Sequence, residues 1–405
     1  MRLAGRVEQT SAPPLSPWME RAQELRRAGR DVIMLAQAMV DYAPPEIFCA
    51  SLADALRRGA GGLHHYTADP GLPELRARVA AYLARGFGLH VDAQREILIT
   101  PGANHAAYMA LSVLLEAGDE VLLVSPWYFN HEMTVRLLGG VVQAVPAAPG
   151  DGFVPSLAAL EQAWTPRTRA LLLVNPNNPT GARYPDSWIG ALAEMLRTDP
   201  RWAEVWILVD QTYQEIFFHE PRPSSLGGQP GLRHRAVTLG SFSKCFGLAG
   251  WRLGFLVAPP AFAEAALKVQ DSSIICAPHA AQWALARLLA EERAMEDYLA
   301  EKRALLGRRR DALLAALQSG APLVPVEPGG ACFAFLFLPG DRDGAEAAGA
   351  LLERHGVATV PGLCFGPGWR PCLRLGFGTE PEARLAEAGA RIREFLGTCA
   401  PGKGG

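Results

Sequence analysis

The sequence predicts an α/β chain: a mostly parallel central sheet covered by helices, joined to a smaller α+β lobe built from both chain ends. Three observations carry this. From about Glu96 to Ala258, short apolar runs of strand length alternate with helix-length stretches, as parallel strands joined by helical crossovers do. Glycine-rich and polar strings sit at the carboxyl ends of those runs, where open α/β sheets hold their ligands. Beyond them a long helical region, about His279 to Ala316, leads to separate short strands around Phe333 to Phe337, Val357 to Gly362 and Leu373 to Phe377. The expected division is a large domain at 46–290 and a small one at 1–45 plus 291–405.

Each element is read in chain order. Pro13, Pro14 and Pro17 precede a helix-like stretch, Trp18 to Ala28, and Asp31 to Ala38 reads as a strand entering the loop Met39 to Pro45. His64-His65-Tyr66-Thr67 comes before a Pro/Gly turn and a helix to about Arg85. The adjacent histidines lack the spacing and third ligand of a zinc site, so no metal is expected. Strand-like Glu96 to Thr100 feeds Gly102-Ala103-Asn104 and an apolar helix, and a glycine turn entering a helix offers free N–H groups and a positive dipole end to an anion. The buried strand Glu120 to Val124 ends at Trp127-Tyr128-Phe129-Asn130-His131, whose aromatics serve either as core or as a face for a flat ring. Arg169 to Val174 ends in Asn175-Pro176-Asn177-Asn178-Pro179-Thr180-Gly181, with prolines fixing the backbone that carries the asparagines. Val205 to Val209 ends on Asp210, a carboxylate that burial makes costly unless a cation meets it.

The run Ala236 to Gly240 delivers the most informative string, Ser241-Phe242-Ser243-Lys244-Cys245-Phe246-Gly247-Leu248-Ala249-Gly250-Trp251-Arg252-Leu253-Gly254. Two hydroxyls, a guanidinium and glycine-freed N–H groups suit a phosphate dianion. The lysine between them is left free, and a desolvated amine beside a cation loses its proton readily and attacks carbonyls. An aldehyde carrying a phosphate, pyridoxal 5′-phosphate, meets both demands. Taken alone, Ser-x-Ser-Lys equally fits a solvated polar turn. In Leu373-Arg374-Leu375, an arginine inside an apolar strand calls for an anion.

In this order, and over nearly the whole chain, these strings resemble the fold type I pyridoxal-phosphate-dependent aminotransferases of class I and II, the aspartate aminotransferase superfamily. The resemblance implies that Lys244 holds the cofactor as a Schiff base and that Gly102, Ala103, Asn104, Ser241, Ser243 and Arg252 take its phosphate. Tyr66 crosses a homodimer interface to the neighbouring subunit's phosphate. Tyr128 stacks on the ring, Asp210 meets the ring nitrogen, and Asn178 and Tyr213 reach the 3′-oxygen. Arg374 clamps the substrate carboxylate, with Asn178 and the loop at Ala38, where the family has glycine, beside it. The implied reaction is ping-pong transamination between an amino acid and a 2-oxo acid. Elimination, replacement or cyclisation of an amino acid shares the first steps and stands as the alternative. A ligand sensor on this fold would need a fused DNA-binding domain, for which too little chain precedes the family-like region.

Composition narrows the setting. A net charge of −2 over 405 residues offers no polycation for nucleic acid and no basic face for anionic lipid, and the Arg308-Arg309-Arg310 run reads as a solvated helix face. No apolar run reaches membrane-span or signal-peptide length, which makes the cytoplasm the expected compartment. Seven scattered cysteines form no C-x-x-C pair and read as buried small hydrophobes. Finally, the resemblance implies that members specific for dicarboxylic donors carry a second cation in the stretches matching Ser272 to Gln282, on the partner subunit, or Pro101 to Tyr108. Here neither stretch contains Arg or Lys, so an amino donor with a distal carboxylate would lack a counter-charge. Arg136 is the cation a tertiary contact could bring in, and Asp41 or Glu46 could greet a basic side chain or stay solvated in their loop.

Overall fold

The computed structural model describes residues 3–59, 62–318, 323–324 and 326–398. Cys399 and the glycine-rich tail, expected to fray, lie outside them. The strands are β1 (Ile33–Met34), β2 (Ile97–Thr100), β3 (Glu120–Ser125), β4 (Val141–Pro146), β5 (Thr168–Val174), β6 (Trp206–Asp210), β7 (Ala236–Ser241), β8 (Gly254–Val257), β9 (Phe333–Phe337), β10 (Val357–Ala358), β11 (Val360–Pro361) and β12 (Cys372–Gly376). Seven make one sheet in the order β2-β8-β7-β6-β5-β3-β4, and only β8 runs against its neighbours.

The central strands are continuous apolar runs because both faces of this sheet are covered. Their alternating side chains part between two cores. Leu122, Val124, Leu171, Leu173, Ile207 and Val209 enter one, while Val121, Leu123, Leu172, Leu208 and Leu239 enter the other. The register levels the carboxyl ends of β5, β6 and β7: Val174 lies opposite Asp210, and Asp210 opposite Leu239. Since β8 is antiparallel, its amino end meets the same rim, with Gly254 opposite Ser241 and opposite Thr100 of β2. That pairing brings Arg252, just before β8, beside Gly102, just after β2.

A three-stranded antiparallel sheet, β11-β12-β9, places Arg374 opposite Phe335 and Val360, and β1 pairs with β10 in parallel. The helices Glu292–Gln318 and Glu382–Thr398 pack together beside it.

Several expectations need correction. The strand expected over Asp31 to Ala38 is ladder-paired only at Ile33–Met34, because β10 offers two residues of edge. The expected single helical region breaks at Glu291 into His279–Ala290 and Glu292–Gln318, and a further helix, Pro260–Ser273, follows β8. The arginine triplet is not a solvated face. Arg308 is exposed, but a helix turns by about 100° per residue, so Arg309 and Arg310 point inward. Arg309 donates to Asp41 at 2.7 and 3.0 Å and to the Gly378 carbonyl, and Arg310 donates to the Pro328 carbonyl and lies over the Phe218 ring. Asp41 is accordingly an ion-pair partner and not a free loop acid. Of the cysteines, Cys49 is exposed and Cys276 and Cys364 half-buried, while Cys245, Cys332 and Cys372 are buried.

Candidate active site

Lys244 occupies the turn after β7. Phe242 and Phe246, four residues apart, are both buried and stack at 6.0 Å between ring centroids, anchoring one side of the turn in the core. Ser241 Oγ accepts the Ser243 N–H at 3.1 Å and tightens the bend. Lys244 is thereby directed at the rim, where its Nζ donates to the Ala38 carbonyl. Burial lowers the pKa of this amine, and the positive charges of Arg374 and Arg252 act in the same direction. An amine so placed carries a larger neutral fraction, the form that attacks carbonyls and accepts protons.

Ala38, Ala103, Asn104, Tyr128, Asn178, Asp210, Tyr213, Ser241, Ser243, Lys244 and Arg252 converge on one cavity at the carboxyl rim, with Val174, Thr212 and Ala249. Gly102 stands directly behind it. A Cβ built there would lie 2.6 Å from Arg252 Nη2, and the residue has φ +87°, so glycine is required on two counts. Arg252, itself at φ 55°, donates to the Ala249 carbonyl at 2.9 Å and the Pro101 carbonyl at 2.8 Å. The helix Ala103–Leu114 begins beside it and aims its free N–H groups at the cavity mouth.

Asp210 is buried at the end of β6, accepting the Thr212 N–H at 2.9 Å, and its Oδ2 lies 3.2 Å from His131 Nε2. Sequence reasoning assigned His131 no role. It follows Tyr128 in the same string, but only the adjacency of β3 to β5 and β5 to β6 brings it to Asp210. Tyr128 is pinned by Asn130 Nδ2 at 2.8 Å, with Asn104 Nδ2 at 3.5 Å, and the His131 ring meets it edge-on at 5.2 Å. Tyr213 packs its edge on Phe333 at 5.4 Å, and burial raises its pKa, keeping the phenol a donor.

In the asparagine string, Asn175 and Asn177 bond within the chain segment, to Tyr184 N–H and to Thr180, whereas Asn178 Oδ1 accepts from Arg374 Nη1 at 3.0 Å. Arg374 is wholly buried. Its guanidinium lies 4.6 Å from the Phe333 ring centroid and 5.0 Å from that of Phe365, donates to the Ala36 carbonyl at 2.9 Å, and keeps Nε without a partner among the described residues. Tyr66 alone of the expected site residues lies apart: 74% exposed, it borders a surface hollow with His64, His65, Cys276 and His279. Arg136 does not reach the cavity and donates to Glu132 on its own helix at 2.9 Å.

The donor set suits a flat phosphorylated aldehyde: Arg252, two serine hydroxyls and a helix amino end for a dianion, a buried carboxylate for a ring N–H, an aromatic ring for its face and a half-buried amine for its carbonyl. Fold and site together define a fold type I pyridoxal-phosphate enzyme. The model of the aminotransferase class I and II family matches residues 30–392, and the chain belongs to that family, whose members use pyridoxal 5′-phosphate. An aspartate/prephenate aminotransferase of Thermus thermophilus is 34% identical over 93% of this chain and 94% of its own. Among solved structures, aspartate aminotransferase from Thermus thermophilus with maleate superposes with TM-score 0.89 at 32% identity, covering 98% of this chain and 100% of the other. An aromatic aminotransferase from Pyrococcus horikoshii does so with TM-score 0.85 at 30% identity, covering 93% and 99%. The protein is a pyridoxal-phosphate-dependent transaminase acting on amino and 2-oxo acids. Among the described residues, no helix is long and apolar enough to cross a membrane.

Proposed function

We propose that this transaminase takes an amino donor with an uncharged side chain and works as a homodimer, using the residues of the rim in the following roles. Arg252, Ser241, Ser243 and the N–H groups after Gly102 would hold the cofactor phosphate, Asp210 with His131 behind it the ring nitrogen, Tyr128 the ring face, and Asn178 and Tyr213 the 3′-oxygen. When bound, the cofactor supplies an electron sink for the charge released at the substrate Cα. Arg374 clamps the α-carboxylate through two parallel N–H donors and so turns the Cα–H bond toward Lys244. Lys244 would take that proton at its Nζ and later give it back, acting first as base and then as acid. The observation that carries this reading is the half-buried Lys244 amine with its lowered pKa, set close to Asp210, Arg252 and Arg374.

The uncharged donor is supported by the cations near the cavity. Lys244, Arg252 and Arg374 each have a role already, and Arg136 is occupied by Glu132. A distal carboxylate would be desolvated without a counter-charge, at a cost of several kcal/mol, roughly 10³-fold in kcat/KM. The Thermus relative named for aspartate makes this the point to test. In a half-reaction screen over the amino acids, the bound cofactor's visible absorbance is read together with 2-oxo acid and ammonia release. Neutral donors should bleach it fastest; aspartate or glutamate as best donor overturns the choice of substrate, and ammonia release turns the reading to elimination.

The homodimer is supported by the large apolar side chains that the chain leaves exposed, Tyr66, Tyr108, Trp251 and Ile274 among them. Mixing inactive Tyr66→Ala and Lys244→Ala proteins should restore activity through hybrid dimers, and a fully active monomer in sedimentation contradicts it. The division into 46–290 and the two chain ends is supported by the seven-stranded sheet lying within the first and the short sheets within the second. A cytoplasmic location is supported by the six described cysteines, all free.

A further inference from the structure

Among groups near Lys244 without an assigned role, Tyr42 is the most firmly held. Its hydroxyl donates to the Lys244 main-chain carbonyl at 2.5 Å. The Tyr298 ring meets it edge-on at 6.2 Å, and the Lys302 ammonium lies 5.7 Å from the Tyr42 ring and 4.9 Å from that of Tyr298. The Tyr298 hydroxyl in turn donates to the Ala43 carbonyl at 2.7 Å, fixing the next residue of the loop. At Gly247, φ is +65° and a Cβ would lie 2.5 Å from the Tyr42 carbonyl oxygen, so the loop and the lysine turn touch main chain to main chain. Burial raises the phenol's pKa and keeps it a donor at neutral pH.

The same loop meets the other end of the lysine. Lys244 Nζ donates to the Ala38 carbonyl, Arg374 donates to that of Ala36, and Asp41 is gripped by Arg309. Residues 36–42 therefore touch Lys244 at both its amine and its carbonyl. Transamination makes opposed demands on such a lysine: its amine must leave, carry a proton and come back, while its Cα stays in place. In a turn, the Lys244 carbonyl has no strand or helix ladder to hold it.

We propose that Tyr42 is a positioning residue for Lys244. By holding the lysine's main chain, its hydroxyl confines the movement of Lys244 to side-chain torsions, so that the amine returns to one place in each half-reaction. This rests on the reading of Lys244 as the reacting amine. A phenylalanine would fill the same space and keep the ring contacts, so the oxygen alone carries the effect.

Tyr42→Phe tests it. In the cofactor-free protein, amide hydrogen exchange across residues 241–248 should quicken by roughly threefold or more, since a hydrogen bond holding that turn is gone. In the holoenzyme, kcat with the best donor should fall about tenfold while KM stays within about twofold, because orientation and not binding is lost. The pH midpoint of the bound cofactor's absorbance should shift as well. Melting of both proteins separates this from packing: a lower Tm with unchanged exchange, kcat and midpoint overturns the proposal. Borohydride reduction followed by peptide mapping separates it from the functional reading. A wild-type adduct on another lysine defeats the role of Lys244 itself, whereas an adduct on Lys244 with an unaltered Tyr42→Phe protein defeats only the role of Tyr42.

Discussion

Arg252 lines the cavity and Arg374 stands behind Asn178 in its wall, and the two are built in opposite ways. Arg374 rises from the middle of β12, fully buried between two phenylalanine rings, its guanidinium already fixed by Asn178 and the Ala36 carbonyl. Arg252 stands exposed in a left-handed turn and, among the described residues, is held by the Ala249 and Pro101 carbonyls. A buried cation is costly to leave unmatched, so it discriminates strongly in favour of an anion of the right shape. A hydrated cation discriminates less, and its attraction is screened by salt. The small-sheet side of the cavity is thereby suited to selecting substrate, and the large-sheet rim to retaining a phosphate that many other donors share.

The largest expected effect bears on the residue both regions serve. Lys244→Ala should lower transamination by at least about 10⁴-fold, since nucleophile and proton carrier are lost together; a deficit under about tenfold would mean another group does the chemistry. Next, Arg374→Ala should lower kcat/KM about 10³-fold for every amino donor while leaving cofactor affinity unchanged. Lysine at that position should recover little, because a point charge cannot supply the paired donors. Equal losses in cofactor and substrate binding would dissolve the contrast between the two sides.

Arg252→Ala should do the converse. Cofactor affinity should weaken by roughly 10- to 30-fold, as expected for losing a charge-assisted hydrogen bond, with kcat at saturating cofactor changed by less than about threefold. Raising the salt concentration should weaken cofactor binding by the wild type and leave the variant nearly insensitive; a flat wild-type response would place Arg252 with the buried class.

The smallest effect concerns the cofactor-free protein. The Lys244 pKa is lowered from 10.5, so between its folded value and 10.5 the unfolded chain binds more protons than the folded one. Stability should therefore rise with pH through that window and be lost as pH falls through it. Lys244→Met should be more stable than wild type at pH 7, with the advantage shrinking as pH approaches 10.5. Denaturant titrations at a series of pH values check the sign, and parallel curves refute it.

Charges set against an apolar strand were legible early. Asp210 ends one such run and Arg374 interrupts another, while Lys244 stood out through the longer string around it and the family resemblance of that string. Arg309 and Arg310 were misread for the converse reason: on a helix rich in charge nothing in the local pattern distinguishes a solvated guanidinium from one whose partner is Asp41, far away in the chain. His131 was overlooked because its partner, Asp210, comes from a strand two places away in the sheet.

By itself the sequence determined the class of the sheet, the order of its strands along the chain, and which strand ends carry polar strings, because apolar runs and their polar terminations are local properties. It also carried the glycines at positions 102 and 247, since a left-handed backbone admits little else. Only the tertiary structure decided that β8 turns against its neighbours and so presents Arg252 to Gly102, that His131 meets Asp210, and that Tyr42 grips the lysine's main chain. Those are pairings between distant segments, set by register and packing, and residue patterns along a single chain carry no measure of distance between segments.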